Sequence, residues 1–97
     1  MSRIEWTQTA HDDLTQVENN IAEDSTYYTV KFRKDVYIAI DRLEQFPMSG
    51  RIVPEFNDPS FREVLHGAYR IIYRLIDERV IILTVIHGKR RLPNTLI

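Results

Sequence analysis

The chain has no cysteine in its 97 residues. Disulfide staples, thiol nucleophiles and Cys-based zinc sites are therefore excluded. No apolar run approaches the roughly 20 residues that a membrane helix requires. Residues 1 to 13, "MSRIEWTQTAHDD", show neither the apolar core nor the small-residue cleavage site of a secretory signal, so a cytoplasmic location is expected. There is no internal repeat and no low-complexity segment. No metal-ligand spacing, phosphate-binding glycine loop, nucleophile elbow or paired-carboxylate arrangement occurs, so no metal or cofactor is expected. With only three glycines and four prolines, structural punctuation is sparse. Three of the prolines fall within residues 47–60, "PMSGRIVPEFNDPS", which reads as one long loop; loops of that length are usually functional.

What remains is the composition of a single small domain, residues 1–97: 43% hydrophobic, 28% charged and a net charge of -1. That net charge conceals an asymmetry. Residues 1–46 hold nine acidic and five basic side chains, a net of -4, whereas residues 47–97 hold five acidic and eight basic, a net of +3. A basic working surface on an acidic body suits a polyanionic or acidic partner.

Hydrophobic periodicity supplies the elements. "SRIEW" alternates as a short strand. Ala10, Leu14, Val17 and Ile21 repeat at helical spacing after a cap at Thr7 or Thr9. Tyr28, Phe32, Val36, Ala39, Ile40 and Leu43 do so again after Ser25 or Thr26, until Pro47 forbids continuation. "FREVL", "YRIIYRLI" and "VIILTVI", joined by short turns, predict an antiparallel meander. The expected fold is α+β, in the order β-α-α-β-β-β, with a two-helix hairpin on one face of the sheet. The tail "RLPNTLI" is expected to bury little.

Cations interrupt the strands. Strand parity puts Tyr69, Ile71, Tyr73 and Leu75 on one face and Arg70, Ile72, Arg74 and Ile76 on the other. An unpaired buried charge costs several kcal/mol, of order 3–5, so the arginine face is expected to be the open one. Arg62, Arg70, Arg74, His87, Lys89 and Arg90 would then converge on one patch, where guanidinium forks suit phosphate or carboxylate and could stabilise the charge that builds up on an attacked phosphodiester. His87 is the histidine placed to move a proton. Glu63 reads as a surface or edge residue, His11 as a helix-surface residue and His66 as a turn residue.

The element order, together with "FPMSGRIVPE" and "REVLHGAYRIIYRLIDERVIILTVIHGKR", resembles the RelE/ParE superfamily of toxins from type II toxin-antitoxin modules. The resemblance implies a growth-inhibiting toxin silenced by a cognate antitoxin. It implies one of three modes of action: metal-independent cleavage of mRNA on the ribosome, poisoning of DNA gyrase, or non-catalytic antitoxin binding. The RelE-like ribonuclease mode is the first expectation. It would assign Arg70, Arg90, His87 and Arg62 to catalysis and Arg74, Lys89 and Arg91 to substrate binding. Two positions depart from the RelE pattern: Val64 stands where the pattern has a lysine, and its late tyrosine falls near Leu96.

Overall fold

The computed structural model describes residues 1–96. A five-stranded sheet in the order β1-β5-β4-β3-β2 carries both helices on one face. The strands are β1 Arg3–Trp6, β2 Arg51–Ile52, β3 Phe61–His66, β4 Tyr69–Ile76 and β5 Arg79–His87, and the helices are α1 Gln8–Ala22 and α2 Thr26–Asp41. The expected meander β3-β4-β5 is antiparallel throughout. To it are added the parallel edge strand β1, beside β5, and the two-residue β2, beside β3, inside what the sequence reads as loop.

Thr7 joins helix to sheet. Its hydroxyl oxygen accepts from the Ala10 N–H, capping α1, and the same hydroxyl donates to the Ile82 carbonyl at 2.9 Å, which satisfies an otherwise orphaned helix donor. Ser25 caps α2 through the Tyr28 N–H. Glu18 on α1 and Arg33 on α2 pair across the hairpin. The helical stripes meet the sheet in a core of Ala10, Leu14, Val17, Phe32, Val36, Ile40 and Leu43 against Ile71, Tyr73, Val80, Ile82 and Val85. Tyr28 is a correction to the expected stripe: it is exposed, one turn before Phe32 makes contact.

The opposite face is not open. Val53, Phe61, Ile72 and Leu92 are buried there, with Phe56, Leu83, Ile86 and Leu96 packed around them. The proline-rich loop and the tail supply this second core. Leu92 and Leu96 thus contradict the expectation that the tail buries little, because apolar side chains on both sheet faces need covering.

A β-bulge sets the parity of β5. Ile72 pairs with Thr84 but Tyr73 pairs with Ile82, so Leu83 is the extra residue. Beyond it Val85 joins the helix-side core, while Leu83 and Ile86 pack on the other side. One inserted residue reverses every later side chain.

Candidate functional site

Arg70 lies on the face assigned from parity, but it is only 7% exposed. Its guanidinium fork donates to both oxygens of Glu55, at 2.6 and 2.8 Å, and its Nε donates to Glu63 at 2.5 Å. The expectation of an outward, solvated Arg70 is therefore corrected. Glu63, read as a surface residue, is 1% exposed and also accepts from Arg51 Nε at 2.6 Å. Two arginines and two carboxylates thus form a closed network, and no buried side-chain nitrogen or oxygen among the described residues lacks a partner. Bidentate and charge-assisted contacts of this kind offset the cost of burial. The hydrogen bond to Glu55, foremost, raises the Arg70 pKa further above its ordinary value. In return, the Arg70 guanidinium holds the Glu55 carboxyl below the usual range.

The other predicted residues do not converge on Arg70. Arg62 is paired with Tyr73 in register, on the helix side, and spends its guanidinium on the carbonyls of Met48, Gly50 and Pro59. Tyr73 completes that corner by donating to the Pro47 carbonyl at 2.7 Å while accepting from the Gly50 N–H at 3.0 Å. A Cβ on Gly50 would meet the Tyr73 hydroxyl at 2.5 Å and the Glu63 carbonyl at 2.7 Å, so only glycine fits. Arg74 is exposed as expected, with its guanidinium 4.9 Å from the centre of the Phe61 ring. His66 is the last residue of β3 rather than a turn residue. It packs on Phe32 and lies 3.5 Å from Asp35.

His87 is a further correction. The bulge turns it to the helix side, where its ring stands edge-on to Tyr69 at 5.3 Å and its Nδ1 accepts from the Lys89 N–H. It therefore faces away from Arg70. Lys89, Arg90 and Arg91 follow it, all exposed and, among the described residues, without a carboxylate partner. His87, Arg90 and Arg91 line a groove of about 550 Å³ between α1 and β5, together with Asp13, Gln16 and Asn20. The basic set of the sequence is thus dispersed: Arg70 is neutralised, Arg62 is spent on carbonyls on the helix side, Arg74 lies over Phe61, and Lys89, Arg90 and Arg91 stand free after β5.

Sequence reasoning missed Glu55 and Glu63 as the partners of Arg70. A signal for Glu63 was present: the tight Gly67-Ala68 turn fixes the β3–β4 register, which pairs Glu63 with Ile72 and so places it on the Arg70 face.

This architecture can be set beside known proteins. The family described as the ParE toxin of the type II toxin-antitoxin system parDE matches residues 4–92. The chain belongs to the ParE toxin family. Among solved structures, the toxin resembles a chain of the chromosomal ParDE system of P. aeruginosa with a TM-score of 0.74 at 18% identity, over 92% of this chain and 98% of that one. It also resembles a chain of the RelBE2 toxin-antitoxin complex of Mycobacterium tuberculosis, with a TM-score of 0.61 at 24% identity, over 89% and 96%. At these identities the two likenesses speak for the fold. A comparison with curated proteins gives no match. Among the described residues, no helix is long and apolar enough to cross a membrane.

Proposed function

We propose that the toxin arrests growth by binding rather than by cutting RNA, with DNA gyrase as its target and a cognate antitoxin as its silencer. The observation that carries this reading is the saturated Arg70. A ribonuclease of the RelE kind needs free cations at the scissile phosphate and a nearby group to move a proton. Here the Arg70 fork is filled by Glu55 and Glu63, and His87 faces the other side of the sheet. A gyrase poison requires neither. Family membership agrees with the same reading.

The test compares two targets with one purified protein. Gyrase supercoiling is expected to stall, with cleaved DNA-gyrase complexes accumulating, while mRNA in a translating extract stays whole. Ribosome-dependent cleavage of mRNA with gyrase unaffected would replace this proposal with the ribonuclease mode.

A further inference from the structure

The sheet is left open at its β3 edge. β2 covers that edge for two residues, with Arg51 opposite Glu63 and Ile52 opposite Arg62, and among the described residues no other strand stands beside it. The Leu75 N–H donates to the Ser60 carbonyl at 2.7 Å, and the Val53 N–H donates to the Phe61 carbonyl at 2.9 Å. Even-numbered residues of β3 therefore bond to β4 and odd-numbered ones turn outward. Arg51 occupies Glu63, which leaves the Leu65 N–H and carbonyl facing the uncovered edge.

Apolar side chains gather along this edge. Phe46 is 62% and Met48 64% exposed, and Ile38 and Leu65 are exposed as well. Phe46 and Ala39 line a cleft of about 450 Å³ with Val64 and Leu65. The loop presenting Phe46 and Met48 is tied down, because Tyr73 and Arg62 hold the backbone of Pro47, Met48 and Gly50. Exposed apolar side chains fixed in advance lower the ordering cost of docking.

α2 runs along the same edge. Asp35 lies 3.5 Å from His66, while Ala39 and Arg42 lie toward Val64, and helical spacing puts Asp35, Ile38, Ala39 and Arg42 on one face. That row is self-complementary. A two-fold axis beside Leu65 sets α2 antiparallel to α2 of a second copy, with each Ile38 against the other copy's Ala39 and each Asp35 against the other copy's Arg42. The same axis brings Leu65 opposite Leu65, donor to acceptor in both directions.

We propose that the β3 edge is a homodimer interface, where a second copy of this chain joins the sheet through Leu65 and packs α2 against α2. With so few apolar side chains the contact falls at the small end of specific interfaces, so the dimer is reversible, with a Kd of roughly 10 µM. The proposal is independent of the gyrase target.

Sedimentation equilibrium of the purified toxin is expected to show the mass rising from one chain to two between about 1 and 100 µM. Amide exchange at Leu65 is expected to slow at least about tenfold across that range, as for a newly paired strand amide. Ile38→Asp is expected to weaken association at least about thirtyfold. Arg42→Asp is expected to weaken it about fivefold, and the swap of Arg42→Asp with Asp35→Arg to return it to within about twofold of wild type. Glu78→Lys, in the distant β4–β5 turn, leaves it within about twofold. A monomer at about 500 µM, a dimer indifferent to Ile38→Asp, an unprotected Leu65 amide or a swap that restores nothing overturns the proposal. So does a monomeric toxin whose Ile38→Asp variant loses gyrase inhibition or antitoxin binding, which would assign the patch to that partner. Mass is measured without gyrase, so this proposal and the functional reading can fail independently.

Discussion

Arg70 and Arg90 are the same residue type, and both were drawn from one basic stretch, yet they occupy opposite regimes. Arg70 sits 7% exposed between two carboxylates and fastens the loop bearing Glu55 to the sheet. Arg90 projects from a turn beside a groove, exposed and without an acidic partner among the described residues. The difference teaches that a cation's position on a strand says little about its availability. A guanidinium surrounded by carboxylates is a structural joint, whereas one left over after pairing is free to recognise something else.

The sharpest way to break this contrast is to truncate each arginine. Arg70→Ala leaves the buried Glu63 carboxylate with only the half-exposed Arg51 as partner and is expected to cost about 3 kcal/mol in urea unfolding. A loss under 1 kcal/mol would mean that the network is not a joint. Replacing both partners, Arg70→Met with Glu63→Leu, is expected to recover most of that loss, because an apolar pair of similar volume has no charge to desolvate. Tyr73→Phe tests the neighbouring corner. It removes the donor to Pro47 and the acceptor for Gly50 and should cost about 1–3 kcal/mol by the same measurement.

A smaller effect is expected at Glu55, whose side chain is 43% exposed. Solvent screening limits Glu55→Gln to about 1 kcal/mol. Its signature is the pH profile. The Arg70 guanidinium lowers the Glu55 pKa below 4.5, so the unfolded state binds the proton more readily. The contribution is therefore complete above pH 4.5 and disappears as pH falls through the lowered value. Stability curves of the wild type and Glu55→Gln should converge on acidification and run parallel above that window. At the bottom of the scale, Arg90→Ala with Arg91→Ala is expected to leave the Tm within about 3 °C, the scale of exposed substitutions. A larger drop would show that the cations after β5 are also structural.

Much of this molecule was legible along the chain. Both helices, their caps among Thr7 and Ser25, the meander and the two sides of β4 follow from period and parity, which are properties of local backbone geometry. The register of β3 against β4 was accessible too, through the tight turn at Gly67, which adopts a positive φ of 56°. Even the division of β4 into an apolar and an arginine face came out correctly, with Ile71 and Tyr73 on the helices.

Only the tertiary structure decided what covered that second face and which cations remained free. Period and parity assign a side chain to a side of a strand, but they carry no information on which distant segment closes over it. Residues 53–56 and 92–96 bury Ile72 and bring Glu55 onto Arg70 through contacts remote in sequence. The extra residue at Leu83 reverses His87, and a bulge leaves no mark in a run as apolar as "VIILTVI", where Thr84 is the one polar residue. Sequence thus determined the elements and their faces, because those depend on neighbours in the chain. The fold determined charge pairing and the open edge at Leu65, because those depend on what the rest of the chain brings alongside.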